Sequence, residues 1–416
     1  MTFLKTVSMS GIATVAKILT GLVSTKILAV LIGPSGVALI GQINNLIAIV
    51  LPIGSGGINN GVVKYLAESD SVESAKKYVK QAVLITLICS LICSVLLLAF
   101  ARYLSFKLLE TAEYTYVIVF LAVFFILMAF NGIFLSILNG LRQIRKLIIA
   151  QIISSFISLV ITVALAYMFN IKGVLIASIL SQSIICLVSF WYCWKCKVLQ
   201  DIFVDFSYDK SVLKKYCKYT IMTLVSAFTV PIGQLLIRNN VINKLGLVDA
   251  GILQGMWTIS GVYLMVITIA LSTYYLPKLS GLSDRADVWR EIKSTLVMVA
   301  PAVAIMVIVL FCSREIIVNL LFTQDFFAMN KLFGAQLIGD FIRIISFVFA
   351  FIMQAKALVK QMIFGEIIFT FLYVVMVRFF VIDYGLVGVP IAYCLVYLSY
   401  LFYSIFVYYR WHQVLA

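Results

Sequence analysis

Long apolar runs, about a dozen of them, fill this chain and limit what it can fold into. Each run approaches the roughly 20 apolar residues with which a helix crosses the hydrocarbon core of a bilayer. The 416 residues are 63% hydrophobic and 12% charged, whereas a soluble domain is about half apolar and about a quarter charged. The short alternating segments of a membrane β-barrel are not evident. The sequence therefore predicts an all-α polytopic membrane protein.

The runs predict 12 transmembrane helices in two six-helix bundles. The N-terminal bundle is expected at 1–194 and the C-terminal bundle at 219–416, with a polar cytoplasmic linker at 195–218. The predicted spans are 10–32, 37–63, 82–104, 116–140, 147–169, 172–194, 219–242, 250–275, 294–312, 333–355, 362–382 and 387–408.

The two halves repeat short sequence features at an offset of about 213 residues. Lys172-Gly-Val-Leu-Ile-Ala177 resembles Val387-Gly-Val-Pro-Ile-Ala392, and the basic loop at 142–146 corresponds to the loop at 356–360. Because six helices per half give both halves the same orientation, we expect a pseudo-two-fold axis along the membrane normal. Such repeats predict a central cavity between the bundles and transport by alternating access.

Loop charge predicts the orientation in the membrane. With the N-terminus in the cytoplasm, 21 of the 32 Lys and Arg residues fall in cytoplasmic segments, 7 in outside segments and 4 within helices. Positive charge accumulates on the cytoplasmic side of membrane proteins. The sequence therefore predicts cytoplasmic termini, with an uncleaved first helix because Lys17 and Lys26 interrupt its apolar run.

The net charge of +15 would suggest nucleic acid on a soluble protein. Here it lies mostly in short loops, where it indicates topology, and no nucleic acid partner is expected.

His412 is the lone histidine, and the cysteines are scattered among the helices. Motifs for nucleotide hydrolysis, metal catalysis or a Ser/His/Asp arrangement are not evident. We expect a non-enzyme without metal or cofactor, driven by a gradient of substrate or of a coupling ion, proton or sodium.

Four cations lie inside the apolar runs: Lys17, Lys26, Arg238 and Arg343. A charge in hydrocarbon costs at least about 2.5 kcal/mol, so such groups usually face a protein-lined cavity. This pattern predicts a site for an anion. Lys26 and Arg238 also fit snorkelling towards the interface, and the polar stripe that contains Lys17 also fits helix packing. That stripe consists of Ser10, Thr14, Lys17, Gly21 and Ser24.

Other polar or helix-breaking residues in the apolar runs are candidates for contact with the substrate or for gating. Asp340 and Arg343 share a helix face with Gln336 and fit either a self-satisfying ion pair or a switch. Trp257 and Tyr263, near Gln254, fit stacking on sugars. Further candidates for substrate contact are Asn44, Asn60, Lys64 and Gln254, and those for gating are Pro52, Gly54, Gly57, Pro231 and Glu366. A static kink is the alternative for the Pro52–Gly57 segment.

Four short segments carry a resemblance to a known family: Gly33-Pro34-Ser35-Gly36, Gly57-Ile-Asn-Asn-Gly61 with Lys64-Tyr65, Leu276-Pro277-Lys278-Leu279-Ser280, and Gln336-Leu-Ile-Gly-Asp340. The chain resembles, nearly end to end, the Wzx-type flippases of lipid-linked oligosaccharides, within the MATE-like polysaccharide transporter superfamily. The branch that acts on O-antigen and enterobacterial common antigen units is the most similar.

This resemblance implies a bacterial inner-membrane protein with a cationic cavity. Its implied substrate is an undecaprenyl-pyrophosphate-linked oligosaccharide, moved from the cytoplasmic to the periplasmic leaflet beside an O-antigen polymerase and a chain-length regulator. By position, the resemblance extends to Lys17, Lys26, Asn60, Lys64, Arg238, Asp340 and Arg343. Three alternatives stay open: a MATE-type small-molecule antiporter, a flippase for a peptidoglycan lipid precursor, and a scaffold that holds glycan enzymes together.

Overall fold

The computed structural model describes residues 3–69, 71–196, 198–199, 210–282 and 284–414. Within these ranges the chain is helical apart from short connections. The acidic residues Asp201, Asp205 and Asp209 of the predicted linker lie outside the described residues. The α-helices are α1 (Phe3–Gly54), α2 (Asn59–Ala67), α3 (Val72–Ala99), α4 (Ala101–Leu109), α5 (Thr115–Gly140), α6 (Ile144–Trp194), α7 (Lys210–Leu245), α8 (Leu247–Ala270), α9 (Leu276–Gly281), α10 (Arg285–Cys312), α11 (Arg314–Leu321), α12 (Phe333–Ala355), α13 (Val359–Tyr384) and α14 (Gly388–Val414).

Short segments of other helix types join some of these elements. A π-helical turn at Leu271–Tyr275 connects α8 to α9, and 3₁₀ segments lie at Ala112–Tyr114, Gln324–Lys331 and Gly385–Val387. Single π-helical turns inside helices frequently mark functional positions.

The two longest helices are each interrupted by one residue with a positive φ. In α1 the interruption is Gly33, with φ of 61°, and in α6 it is Asn170, with φ of 49°. Glycine and asparagine are the residues that adopt this backbone region at the least cost. Each interruption falls between two of the spans predicted from the sequence, at 33–36 and at 170–171.

Eight helical stretches in the described part of the chain are long and apolar enough to cross a membrane. Their surfaces carry large apolar side chains that a soluble protein would bury, such as Ile92 and Val95 on α3 and Val297 and Ile305 on α10. Exposed apolar side chains in contiguous stretches indicate contact with lipid. The chain is therefore a multi-pass helical membrane protein. The eight stretches are Thr14–Gly54, Val72–Ala99, Ala112–Gly140, Ile144–Trp194, Leu247–Gly281, Ala286–Cys312, Phe333–Ala355 and Val359–Trp411.

The chain forms two compact units. The first comprises Met1–Ile32 and Leu39–Pro231, and the second comprises Gly33–Ala38 and Ile232–Ala416. The short Gly33–Ala38 segment, which holds one of the family-like motifs, therefore packs with the second unit. The bundle boundaries inferred from the sequence stay a prediction.

The core of the first unit joins α2, α3, α5, α6 and the start of α7. Val62, Val79, Ile137, Cys193 and Tyr216 are representative buried members. Helices α5 and α6 are also linked by hydrogen bonds. The Ser189 hydroxyl donates to Asn131 Oδ1 at 2.7 Å, and the Cys193 thiol donates to the Phe134 carbonyl at 3.1 Å.

Two larger clusters form the core of the second unit. One gathers apolar side chains of the π-helical turn, α9, α10, α12 and α14, with Tyr275 and Phe351 among them. The other joins α7, α8, α13 and α14 and includes Ala38, Ile237 and Val381. These clusters hold α7, α8, α12 and α14 in place around the polar residues described next.

Candidate functional site

Asp340 on α12 is the centre of a buried polar cluster in the second unit. Its side chain is 0% exposed. Ser260 Oγ donates to Asp340 Oδ2 at 2.9 Å, and Tyr393 OH donates to Asp340 Oδ1 at 2.7 Å. The Tyr263 hydroxyl also donates to Oδ2, and Gln336 Nε2 lies 3.3 Å from both carboxylate oxygens. A buried charge is tolerated when hydrogen bonds replace its hydration, so this carboxylate is anchored in place.

Arg343 lies one helical turn after Asp340 and is connected to it through Tyr393. Arg343 Nη1 donates to Tyr393 OH at 3.2 Å, while the same hydroxyl donates to Asp340. The guanidinium also lies 5.2 Å from the ring centroid of Phe347 and 5.3 Å from that of Tyr397. Two aromatic rings at this distance stabilise a cation by its attraction to the ring faces. Arg343 is thus held by aromatic residues, with its charge only partly offset through Tyr393.

The guanidinium of Arg343 has hydrogen-bonding capacity left over. Its Nε is buried and has no hydrogen-bond partner among the described residues. A buried donor without an acceptor costs about 1–3 kcal/mol, and such a group in a native protein calls for an explanation. An anionic ligand that accepts from Arg343 would provide one.

The hydroxyl of Tyr393 reaches Asp340 because the neighbouring residue on α12 lacks a side chain. A Cβ added at Gly339 would overlap the Tyr393 ring, approaching Cε1 to 2.8 Å. The ring of Tyr393 therefore lies directly against the α12 backbone. This close approach explains the glycine in the Gln336–Asp340 motif.

Arg238 on α7 is the most deeply buried of the four cations that lie in the apolar runs of the sequence, at 1% exposure. Its Nη2 donates to Gln254 Oε1, and its guanidinium carbon lies 5.5 Å from the ring centroid of Trp257. Both contacts come from α8. The structure thus brings together Arg238 and Gln254, which the sequence predicted as separate site residues.

Helix α8 contacts both polar groups of the second unit. Gln254 and Trp257 touch Arg238, and Ser260 and Tyr263 touch Asp340. At about 3.6 residues per turn, Gln254 and Tyr263 lie about two and a half turns apart, so α8 reaches the two groups from different sides. Contacts with Arg238 and Asp340 account for the positions of Trp257 and Tyr263, and sugar stacking by these two residues stays a prediction.

The predicted site residues of the first unit lie closer to the surface. Lys17, Asn44, Asn60 and Lys64 are exposed, and Lys26 is half-buried. Lys64 Nζ lies 3.8 Å from Glu68 Oε1, one turn further along α2. An exposed pair of this kind contributes little to stability.

The segment with Pro52, Gly54 and Gly57 is a capped break between α1 and α2. The Gly57 N–H donates to the Pro52 carbonyl at 2.7 Å, and the Gly56 N–H donates to the Ile53 carbonyl at 2.8 Å. With Gly56 at φ of 66°, this is a Schellman motif that ends the helix. The Thr220 hydroxyl of α7 donates to the Gly56 carbonyl at 2.8 Å and fixes the break against α7.

Pro231 and Glu366, the other predicted gating residues, lie in different elements. Pro231 is inside α7, at the residue where the first compact unit ends. Proline inside a helix removes one backbone hydrogen bond and favours a bend. Glu366 is half-buried on α13.

Sequence reasoning singled out Tyr263 but missed Tyr393 in the second unit and Tyr78 and Tyr216 in the first. In the first unit, Tyr65 and Tyr78 stack at 5.3 Å, and Tyr216 packs edge-on against Tyr65 at 5.8 Å. Lys215 Nζ donates to Tyr78 OH at 2.9 Å. Burial raises the pKa of Tyr216, whose hydroxyl donates to the Tyr78 carbonyl at 3.1 Å. With 21 tyrosines in the chain, composition cannot select these few or Tyr393.

The arrangement is suited to holding an anion. In the parts of the chain that the structure describes, no group of three or more His, Cys, Asp or Glu side chains could hold a metal ion. The chemical features present are a guanidinium among aromatic rings, an anchored carboxylate and further cations on helices.

Comparison with known proteins identifies a family and a shared fold. The model of a family described as polysaccharide biosynthesis protein matches residues 3–283. A Lipid III flippase of Escherichia coli strain K12 is 27% identical over 389 residues, which cover 93% of this chain and 94% of the relative.

Solved structures of transporters share the fold. A multidrug resistance MATE family transporter of the MOP superfamily in an inward-facing conformation superposes with a TM-score of 0.78 at 15% identity, over 96% of this chain and 95% of that one. The Lipid II flippase MurJ in an inward closed conformation gives a TM-score of 0.78 at 16% identity, over 95% and 86% of the two chains. At these identities the likeness concerns the fold alone.

Proposed function

Since the chain belongs to the family of polysaccharide biosynthesis proteins, we propose that it is a flippase for lipid-linked oligosaccharides. The substrate proposed is an undecaprenyl-pyrophosphate-linked repeat unit of the O-antigen type, moved from the cytoplasmic to the periplasmic leaflet. Its relatives are flippases and transporters, and the chain is a membrane transporter rather than an enzyme.

The observation that carries this proposal is the nearly end-to-end similarity to a Lipid III flippase. Buried and half-buried guanidinium groups inside membrane helices add a physical reason. A pyrophosphate cannot enter hydrocarbon without its hydration shell being replaced, and Arg238 and Arg343 provide donors for such a replacement. The prenyl tail is apolar and can remain in lipid throughout.

The proposed topology has twelve spans in two six-helix bundles related by a pseudo-two-fold axis, with both termini in the cytoplasm of a bacterial inner membrane. The interruptions at Gly33 and Asn170 support this number, because each divides one long helix where the sequence predicts two spans. The excess of Lys and Arg in the predicted cytoplasmic loops supports the orientation. Alternating access, as the internal repeat predicts, is the proposed mode of transport.

The proposed site residues have distinct roles. Arg238 and Arg343, with Lys17 and Lys26, attract the pyrophosphate, and Asp340 holds Tyr393 and through it Arg343. Polar groups that contact the sugars or the headgroup are Asn44, Asn60, Lys64 and Gln254, while Pro52, Gly54, Gly57, Pro231 and Glu366 act in gating. An O-antigen polymerase, a chain-length regulator and a coupling proton or sodium ion are the proposed partners.

The test uses cells that lack the protein and cells that carry variants. Deletion is expected to leave the lipid-linked oligosaccharide in the cytoplasmic leaflet and to abolish the surface polymer. Lys17→Gln and Arg343→Gln are expected to do the same when the cells are compared at equal amounts of protein in the membrane. Full polymer display by both variants would remove these residues from the mechanism.

Translocation by the purified protein separates a flippase from its alternatives. In vesicles, a labelled lipid-linked saccharide is expected to become accessible to a membrane-impermeant reagent only when the protein is present. A drug-sensitivity phenotype with normal glycans would indicate an antiporter. Loss of viability on deletion would indicate a peptidoglycan precursor, and absence of translocation in vesicles would indicate a scaffold.

A further inference from the structure

A groove between the ends of α13 and α14 is not used by the proposed transport site. It has a volume of about 600 Å³ and is formed by the first turns of α13 and the last turns of α14. Its lining combines two cations with a glutamine and apolar or aromatic side chains. The lining residues are Leu358, Lys360, Gln361, Phe364, Tyr403, Phe406, Val407, Arg410 and Trp411.

The two charged side chains of this groove are cations that are exposed on its surface. Lys360 and Arg410 are both exposed, and the described lining contains no carboxylate to neutralise them. A third cation nearby, Lys356, is held by hydrogen bonds to backbone carbonyls. Lys356 Nζ donates to the Leu279 carbonyl at 3.2 Å and to the Leu282 carbonyl, and burial lowers the pKa of Lys356.

The walls of the groove are apolar and preformed. Phe364 and Phe406 are more than half exposed. Tyr403 is fixed by its hydroxyl, which donates to the Gln361 carbonyl at 2.8 Å, and its ring lies 6.0 Å from that of Phe364. The Arg410 guanidinium lies 5.4 Å from the ring centroid of Phe406, so the cation and the apolar wall are held together.

The position of the groove explains this combination of chemistry. Both helices belong to a stretch that is able to cross the membrane, and Lys360, Arg410 and Trp411 lie at its ends. Trp, Tyr and basic residues accumulate at the depth of the lipid headgroups. Cations at that depth are next to lipid phosphates, and apolar side chains further along the helices, such as Phe364 and Phe406, are next to acyl chains.

We propose that this α13–α14 groove binds an anionic glycerophospholipid of the bilayer. Lys360 and Arg410 hold the phosphodiester, and an acyl chain lies along Phe364, Tyr403 and Phe406. Basic pockets between transmembrane helices bind anionic lipid headgroups in this way. Two exposed cations give modest affinity, which suffices for an abundant lipid and not for a scarce lipid-linked saccharide. The inference is independent of the transported substrate.

The test measures lipids that remain bound to the full-length protein. The protein is purified in detergent, incubated with phosphatidylglycerol or phosphatidylcholine, and analysed by native mass spectrometry. The wild type is expected to retain phosphatidylglycerol in preference to phosphatidylcholine. Each single variant, Lys360→Gln or Arg410→Gln, removes one cation and is expected to weaken retention of phosphatidylglycerol roughly fivefold. The double variant is expected to weaken it by about 25-fold.

Two further variants separate the groove from general charge. Arg290→Gln with Lys293→Gln removes the same charge from exposed positions of α10 and is expected to leave retention unchanged. Phe364→Trp keeps both groove cations but fills the space between the walls, and it is expected to reduce retention. Equal loss in the α10 control, or undiminished retention in the Lys360/Arg410 double variant, would overturn the proposal.

Different experimental outcomes would contradict the lipid proposal and the transport proposal. Displacement of phosphatidylglycerol by undecaprenyl phosphate at equal concentration would assign the groove to the prenyl substrate instead and overturn the lipid proposal. Translocation is measured on the same variants in vesicles. A protein that retains phosphatidylglycerol as expected but moves no lipid-linked saccharide would contradict only the proposed transport.

Discussion

The two compact units hold their intramembrane cations in different ways. In the first unit, Lys17 is exposed and Lys26 half-buried on a single helix. In the second, Arg238 is buried against Gln254 and Trp257, and Arg343 is held by Tyr393 and two aromatic rings. The arginines therefore depend on a framework of neighbours, and Lys17 depends on little beyond its own helix.

The difference shows that a charge in an apolar run has more than one structural meaning. An arginine has a planar group that donates several hydrogen bonds and stacks on aromatic rings, so packed helices can hold it. A lysine on a flexible stem can extend to polar surroundings. Loss of charge in the second unit should therefore affect stability and transport together, whereas in the first unit it should affect transport alone.

The largest effect is expected at the anchor of the second unit. Asp340→Leu leaves the donors of Ser260, Tyr263 and Tyr393 without their acceptor, and we expect a loss of about 3–5 kcal/mol in the free energy of unfolding. Thermal unfolding in detergent measures this change. Asp340→Asn keeps one acceptor oxygen and should lose less. Wild-type stability in Asp340→Leu would show that the cluster does not hold this unit together.

A smaller loss is expected at Gly339, where the Tyr393 ring of α14 lies against α12. Gly339→Ala forces the Tyr393 ring away from α12, and we expect destabilisation of about 1–3 kcal/mol, as for other overpacked sites. Gly334→Ala on the same helix is the matched control, since its added Cβ would meet the Phe311 ring at an ordinary 3.8 Å. Equal melting temperatures for the two variants would contradict the close packing described.

The link between Asp340 and Arg343 can be cut without changing shape. Tyr393→Phe removes the bridging hydroxyl, and we expect a loss of about 1 kcal/mol together with weaker transport, because Arg343 is no longer positioned. The control is Tyr274→Phe, which alters a tyrosine that is 66% exposed. If transport by Tyr393→Phe matches that of the control, the bridge has no part in positioning Arg343.

The smallest effect on stability is expected in the first unit. Lys17→Gln changes an exposed side chain and should leave the melting temperature unchanged while it reduces transport. A drop in melting temperature as large as that of Arg343→Gln would remove the contrast between the two units. Unchanged stability with normal transport would limit the anion site to the second unit.

The positions of the helices could be predicted well from the sequence. Apolar run length located the membrane stretches, and the interruptions at Gly33 and Asn170 fall where predicted spans meet. The Pro52–Gly57 segment was expected to bend, but the predicted span 37–63 did not allow for the helix end near Gly56. These are local properties, since backbone conformation and helix length depend on residues close in the chain. Arg238 and Gln254 were predicted as site residues, but their contact was not.

The partners of the site residues could not be predicted. Tyr393 lies 53 residues after Asp340, and Ser260 lies 80 residues before it. Neither has a local pattern that separates it from the many tyrosines and serines that pack between helices. The spacing of Asp340 and Arg343 on α12 fitted an ion pair or a switch, and the structure places the Tyr393 hydroxyl between them.

By itself, the sequence determined that this chain inserts into a membrane as helices, where those helices are interrupted and which of them carry cations. It does so because hydrocarbon admits few structures and because insertion depends on the composition of each segment. Only the tertiary structure decided how each cation is held, since that depends on side chains that helix packing brings together from distant parts of the chain. It also decided that α13 and α14 leave a basic, aromatic groove at their ends, because such a space exists only between two helices.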